Sequence, residues 1–212
     1  FDGLFCGFGV VNYVKDVASK NPADGLPQGV FDRVVQQEQA KAKALLETVG
    51  RNAGDQKVNP YIIHRELGIE MTAACTVVKS EGRLRQCRAK LDELKDRYSR
   101  LCLADSAAWT NQSLSLARAV GDMLTIAEAI QMGSMLRKES RGAHYRTDFK
   151  DRDDANFMKT SLAKYAAAGK TVSVEFVPID ASLIKPKKRD YTGKDTGGKT
   201  EAAKPAMAGA GT

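Results

Sequence analysis

Side-chain chemistry has few places to occur in this sequence. There are two histidines: His64, in Ile62-Ile63-His64-Arg65-Glu66-Leu67-Gly68 on a predicted helix, and His144, in Glu139-Ser140-Arg141-Gly142-Ala143-His144-Tyr145-Arg146 just past a helix end. A metal centre needs several imidazole, thiolate or carboxylate groups at ligand spacing; neither histidine has such neighbours, so no metal is expected. His64 reads as a helix histidine hydrogen-bonded to a neighbour rather than as a catalytic base. The four cysteines, Cys6, Cys75, Cys87 and Cys102, stand far apart with no Cys-x-x-Cys. They fit free thiols in a reducing compartment, and Cys87 falls on an apolar helix stripe where cysteine acts as a small hydrophobe. No Walker loop is present, Gly3, Gly7 and Gly9 do not fit the Gly-x-Gly-x-x-Gly of a dinucleotide turn, and no serine sits in a nucleophile elbow.

One stretch differs in kind. From Arg137 to Asp154 both signs of charge are packed into eighteen residues around Gly142, a residue free to take unusual backbone angles. Such a loop is either a solvated surface or a set of buried ion pairs at a domain interface. Electrostatics alone leaves both open, because exposed pairs are weak and buried ones are costly unless fully satisfied.

The elements that must hold these residues are mostly helical. Phe1 to Ala18 reads as a helix or a turn plus helix, with Gly3, Gly7 and Gly9 permitting close backbone approach, and Ser19 to Gly29 as a loop by its proline and glycine content. Val30 to Val49 reads as a polar helix closed by Gly50, followed by a loop to Val58. Asn59 as N-cap and Pro60 at the first helical position open a helix expected to run to about Val78. Leu84, Cys87, Leu91, Leu94, Tyr98 and Leu101 then recur in steps of three and four between charged residues, an amphipathic seam that must pack on a neighbour. Asn111 to Lys138 forms a second long helix, expected to present Leu116, Val120, Met123, Ala127 and Ile130 on one face, with Gly121, Gly133 and Ser134 allowing another helix to come close. A short turn near Asp105 to Thr110 makes these two an antiparallel pair within a three- or four-helix bundle. Beyond the charged loop, Arg152 to Ala167 reads as a short helix capped by Gly169, and Thr171 to Val177 as one strand that needs a partner elsewhere. The expected fold class is mainly α: a helical bundle with one short strand near the C-terminus, plus a small piece of a preceding domain.

Composition sets the outer limits. The 212 residues, 42% of them apolar, suffice for a real core, and no stretch approaches the ~20 uninterrupted apolar residues of a membrane span. Of the net charge of +7, the segment 185–212 carries +4, from seven Lys/Arg against three Asp/Glu. That tail reads as solvated disorder; with Tyr191 its only aromatic it lacks the stacking groups of an RNA-binding segment, and no nucleic-acid partner is expected. The opening Phe1-Asp2-Gly3-Leu4-Phe5-Cys6-Gly7 has no initiator methionine and no signal-peptide order, as expected of a truncated chain entered mid-domain.

Arg137 to Arg146, followed by Asp148-Phe149 and Arg152-Asp153-Asp154-Ala155-Asn156, resembles the C-terminal signature of the succinate dehydrogenase/fumarate reductase flavoprotein family. Four further stretches agree in the expected order: Asn59 through His64-Arg65-Glu66-Leu67-Gly68 to Met71; Leu91-Asp92-Glu93-Leu94 through Arg97-Tyr98; Asn111 through Met123-Leu124 to Ala127-Glu128-Ala129; and Lys170 through Val174-Glu175-Phe176 to Pro178. The opening residues resemble the flavin domain just after that family's Arg-Leu-Gly segment, so the similarity spans about Phe1 to Lys185. Two departures stand out. The family's Gly-Val-x-Arg is here Thr76-Val77-Val78-Lys79, and the aromatic and Lys-His pair after Arg152-Asp153-Asp154 is here Phe157-Met158-Lys159-Thr160, without the histidine.

The resemblance implies hydride transfer between succinate and the N5 atom of FAD, with electrons passing to an iron–sulfur subunit, and through it and a membrane anchor subunit to quinone. It also implies a cytoplasmic position, peripheral on the inner face of the cell membrane. The family's catalytic arginine, substrate histidines, flavin-attachment histidine and dinucleotide glycines all precede the part matched here. No catalytic residue is therefore expected in this chain, FAD would be held by an N-terminal portion, and the fragment alone would be inactive. The implied organisation is 1–29 as the end of the flavin-binding domain and a linker, 30–168 as the helical C-terminal domain, 169–184 as a strand-containing extension, and 185–212 as a disordered basic tail. Arg141, His144 and Arg146 become candidates for the cofactor interface, where a cation near the isoalloxazine C2 carbonyl would favour the anionic reduced flavin; a purely architectural ion-pair role is the other reading. L-Aspartate oxidase and adenylylsulfate reductase share parts of this architecture, but the Thr171–Val177 strand and Ala143-His144-Tyr145-Arg146 favour the succinate/fumarate branch. The alternative for the whole chain is a helical protein–protein interaction module without redox activity, docking a partner helix on the Leu84–Leu101 stripe.

Overall fold

A computed structural model describes residues 2–20, 25–52, 54–107, 109–167, 169 and 171–183; the tail expected from Lys185 onward lies outside them. The chain divides into two units, Phe1–Val177 and Pro178–Thr212. In the second, the Ser182 N–H donates to the Asp180 carboxylate at 2.9 Å in a local turn.

The first unit is built on helices α1 (Asp2–Asp16), α2 (Gln28–Leu46), α3 (Pro60–Cys75), α4 (Glu81–Ser99) and α5 (Gln112–Leu136). The starts of α3, α4 and α5 follow their capping residues. Asn59 accepts the Tyr61 N–H at 2.9 Å with Pro60 in the first turn, Ser80 accepts the Arg83 N–H, and Asn111 accepts the Leu114 N–H at 2.8 Å. Gly50, at φ +76°, closes the turn that follows α2 rather than the helix itself, which stops at Leu46.

The core lies where α3, α4 and α5 meet. Ile63, Leu67 and Ala74 of α3, Cys87, Leu91 and Leu94 of α4, and Ala117, Val120, Leu124 and Ala127 of α5 are buried together with Leu101 and Leu103, while Leu45, Leu46 and Val49 pack against them from the end of α2. The seam from Leu84 to Leu101 is therefore spent inside the bundle. At Gly121 the approach is close enough to need glycine, because a Cβ there would stand 2.6 Å from the Tyr98 hydroxyl. That hydroxyl donates to the Ala117 carbonyl at 2.9 Å. Gly133, by contrast, faces open space.

Two elements depart most from the sequence expectation. The buried face of α5 is Ser113, Ala117, Val120, Leu124, Ala127, Glu128, Gln131 and Ser134, whereas Met123, Ile126 and Ile130 point outward. Small residues win the inner face because they let α4 approach, and its polar members have partners. Glu128 meets Arg88 at 2.8 Å and also Lys95, and the Gln131 amide donates to the Leu84 carbonyl at 3.0 Å. The second departure is the helix expected over Arg152 to Ala167. It shrinks to one turn, α6 (Asp154–Phe157), and Lys159–Ala166 becomes a strand (β3) paired with Thr171–Pro178 (β4). A β-branched strand needs a hydrogen-bonded neighbour; β3 supplies it, and Gly169 lies between strands instead of capping a helix. Phe157 fixes the junction by packing edge-on against Phe176, ring centroids 5.4 Å apart.

Candidate functional site

The charged stretch after α5 brings several unlike groups together. Its scaffold is a two-residue parallel ladder between β1 (Val78–Lys79) and β2 (Tyr145–Arg146), with Val78 opposite Tyr145 and Lys79 opposite Arg146. The α3 helix, expected to reach Val78, stops at Cys75 so that Thr76, Val77 and Val78 can extend into this pairing. The Tyr145 N–H donates to the Val77 carbonyl at 3.1 Å and the Thr147 N–H to the Lys79 carbonyl at 2.9 Å. Gly142, at φ +58°, turns the chain back on itself, so that Arg141 and His144 exchange backbone hydrogen bonds of 2.8 and 3.0 Å.

Arg146 is 0% exposed. Its Nε and Nη2 clamp the two carboxylate oxygens of Asp148, each at 2.8 Å, while Nη1 donates to the Ser134 carbonyl at 2.9 Å and the Met135 carbonyl at 3.3 Å. The guanidinium lies 5.0 Å from the centroid of the Phe149 ring. Arg146 thus supplies the donors that the last carbonyls of α5 lack within the helix. Asp148 in turn accepts the Glu81 N–H at 2.8 Å, serving the first turn of α4. The Arg146 guanidinium and then the Glu81 N–H hold the Asp148 carboxyl well below its usual range, against burial.

Glu139, also 0% exposed, collects a second set of donors: Arg137 Nη1 at 2.6 Å, Arg141 Nε and Nη2 at 2.8 and 3.0 Å, and the Asp153 N–H at 2.9 Å. Burial pushes its carboxyl up, but Arg141, the Asp153 N–H and Arg137 more than reverse this and keep it ionised. Arg141 continues to Asp154 at 2.6 Å. Arg137 reaches the Phe157 and Lys159 carbonyls at 2.9 and 2.8 Å and stacks over Phe176 at 5.1 Å. The loop thus holds ion pairs centred on two buried side chains, Arg146 and Glu139.

His144 is half-buried, with Nε2 3.0 Å from the Arg137 carbonyl. Burial lowers its pKa, the Arg137 carbonyl opposes this, and Lys79, Arg146 and Arg137 lower it further, so the ring is neutral near pH 7. Lys79, in the position of the family's arginine, is buried without a carboxylate partner among the described residues and donates to the Thr76 carbonyl and, at 3.3 Å, to the Val77 carbonyl. Burial holds its pKa down. The structure therefore brings Arg141, His144 and Arg146 into one cluster, joined by Lys79, Arg137, Glu139 and Asp148. The last three lay within the charged stretch, but nothing in their spacing told which pairs with which. Lys79 carries no local signal, since only the β1–β2 pairing delivers it.

His64 is elsewhere. It stands exposed on α3 beside a shallow groove lined by Arg65, Gly68, Ile69 and Thr72, and its ring makes no hydrogen bond among the described residues, so the expected neighbour contact is not formed. Among the described residues no group of three metal-ligating side chains comes together, and no helix is long and apolar enough to cross a membrane.

Fold and site together define a helical bundle whose far end is closed by a buried guanidinium–carboxylate network. A family model described as fumarate reductase flavoprotein C-term matches residues 64–191. The chain is 34% identical to the succinate dehydrogenase flavoprotein subunit of Bacillus subtilis over 92% of its own length and 32% of that protein, and 35% identical to the fumarate reductase flavoprotein subunit of Escherichia coli over 75% of its length and 26% of that protein. A solved structure of an E. coli quinol fumarate reductase variant superposes with a TM-score of 0.67 at 30% identity, covering 77% of this chain and 27% of the other. Adenylylsulfate reductase from Archaeoglobus fulgidus, at 21% identity and a TM-score of 0.59, shares the fold. The chain belongs to the succinate dehydrogenase/fumarate reductase flavoprotein family. It spans between about a quarter and a third of the length of these curated relatives.

Proposed function

We propose that this chain is the C-terminal part of the flavoprotein subunit of a succinate dehydrogenase or fumarate reductase. That subunit interconverts succinate and fumarate through FAD and passes electrons to an iron–sulfur subunit and, by way of a membrane anchor subunit, to quinone. It sits on the cytoplasmic side as a peripheral component at the inner face of the cell membrane. The observation that carries this reading is a match along 92% of this chain to only 32% of a succinate dehydrogenase flavoprotein subunit.

FAD itself does not fit the residues present. The grooves among the described residues are open and lack a glycine-rich turn for a pyrophosphate, and the guanidinium of Arg146 is spent on Asp148 and the α5 carbonyls. The cofactor, the catalytic groups and the substrate site are accordingly assigned to a preceding portion of a longer protein, with residues 1–29 as the end of the flavin-binding domain. The apolar side chains that α1 and α2 leave exposed, Phe8, Tyr13, Val14, Val34 and Val35 among them, support that assignment, since a row of this kind is normally covered. Of the three interface candidates, Arg141 and His144 retain surface through which to face that portion, and Arg146 holds their loop from within.

The test compares two proteins. The 212-residue chain expressed alone is expected to bind no flavin and to reduce no dye with succinate, whereas the complete subunit does both. A yellow preparation of the short chain with succinate-dependent dye reduction overturns the reading. In the complete subunit, His144→Ala or Arg141→Ala is expected to lower flavin content or turnover; normal values for both variants remove the interface role.

A further inference from the structure

We propose that Cys75 and Cys87 form an oxidisable thiol pair, in which hydrogen peroxide converts the two thiols to a disulfide bridging α3 and α4. The inference rests on the bundle alone and not on the flavoprotein reading.

Counting along the two helices places the two cysteines at a similar height. The antiparallel helices are registered at their far end by the Cys102 N–H donating to the Val58 carbonyl at 3.2 Å. Stepping from there along both chains at ~1.5 Å per residue brings Cys75 and Cys87 to within about 3 Å along the axes. At the near end Arg83 clamps Glu70 with two bonds of 2.7 Å, fixing α4 against α3 beside the pair. Cys87 is fully buried on the α4 seam, and Cys75, part-buried in the last turn of α3, packs on the same cluster with its thiol in electrostatic reach of the Cys87 thiol; both are free. Of the two residues Cys75 is the one with surface exposure, and Cys87 lies inside the core.

The environment sorts the roles. The hydrogen bond from Cys87 holds the Cys75 thiol below the ordinary value; burial opposes this, Lys79 and Arg83 add to it, and Glu70 works against it. The same contact and burial push the Cys87 thiol up. Cys75, the less buried of the two, is the attacking group, and Cys87 the resolving one. The Cys75 thiolate attacks one peroxide oxygen, the O–O bond breaks, and the Cys75 sulfenic acid forms with hydroxide as leaving group. The Cys87 sulfur then displaces the sulfenic oxygen, and its proton leaves with that oxygen as water. In sum two thiols and one peroxide give one disulfide and two waters. Because β1 lies between the two cysteines, the bridge would also staple the strand on which the loop of Arg141 and His144 is paired.

The experiment uses the full 212-residue chain with Cys6→Ser and Cys102→Ser, treated with hydrogen peroxide, quenched, alkylated and digested with trypsin without reductant. The expected result is loss of both titratable thiols and a linked species joining residues 66–79 to 86–88, two hydrogens lighter than its parts and separated by dithiothreitol. With Cys87→Ala added, the sulfenic acid should persist at Cys75 and be captured by dimedone. Two thiols still free, a sulfinic acid at Cys75 without linked peptide, or a bridge between two chains overturns the proposal. Should Cys87→Ala fail to fold by circular dichroism, the peptide map of the parent decides alone.

Discussion

Replacing Arg146 by alanine is expected to unfasten the end of the bundle. Its side chain is 0% exposed and makes two charge-assisted bonds of 2.8 Å to Asp148 together with bonds to the Ser134 and Met135 carbonyls at 2.9 and 3.3 Å. A hydrogen bond to a charged group contributes about 1.5–3 kcal/mol, and removing one partner of a buried pair costs about 3–5 kcal/mol. Asp148 is partly exposed and can turn to water, so most of the loss falls on the carbonyls of α5 left without donors. The expected loss is about 3–5 kcal/mol of a total near 5–15 kcal/mol. With an m-value of about 2 kcal/mol/M, the urea midpoint followed by far-UV circular dichroism falls by about 2 M. Arg146→Lys keeps the charge but not the planar fork and should lose roughly half as much. Hydrogen exchange locates the effect: amides at the start of α4, where Asp148 accepts from Glu81, and at the end of α5 should speed up before those near Asn111. A loss below about 1 kcal/mol, or exchange that rises evenly over all the helices, refutes the assignment of Arg146 as the closing group.

Two further outcomes follow from the same geometry. The Arg97 guanidinium lowers the Glu66 carboxyl to about 2, with burial opposing and Lys90 assisting, so the unfolded chain binds its proton first as pH falls. Stability from this pair is complete above about pH 4.5 and is lost as pH drops toward 2; urea midpoints measured from pH 5 to pH 2 should fall less steeply in Glu66→Gln than in the parent. Gly121→Ala should gain about 1 kcal/mol of helix propensity yet be destabilised overall by about 1–2 kcal/mol, because its Cβ meets the Tyr98 hydroxyl at 2.6 Å. Most of that penalty should vanish in a Tyr98→Phe background, and equal costs in both backgrounds would discredit the contact.

What was legible in the sequence is what is local or periodic. Asn59-Pro60 announced the start of α3, and the steps of three and four from Leu84 to Leu101 announced α4, because a cap and an apolar stripe are properties of a few consecutive residues. The face of α5 was misjudged because apolar residues lie on both sides of it. Its inner side is chosen by close approach and by partners such as Arg88 and Leu84 that are distant in sequence. The segment Lys159–Ala166 has no decisive period and takes its conformation from β4. The charged loop was recognisable as a unit, yet its pairing was not, for Arg137 and Arg141 could each have met any of several acids; the backbone reversal at Gly142 and the arrival of Lys79 through β1 settle which.

The bond between Asp148 and the first amide of α4 has a topological consequence. From Glu81 the chain runs up α4, crosses to α5, descends it and returns through β2, so this contact and the β1–β2 rungs complete a circuit in which α4 and α5 are opposite sides. Such a hairpin cannot splay like a pair of tongs unless the circuit is cut first, which makes a handful of polar contacts the gate through which the whole helical pair must pass to come apart.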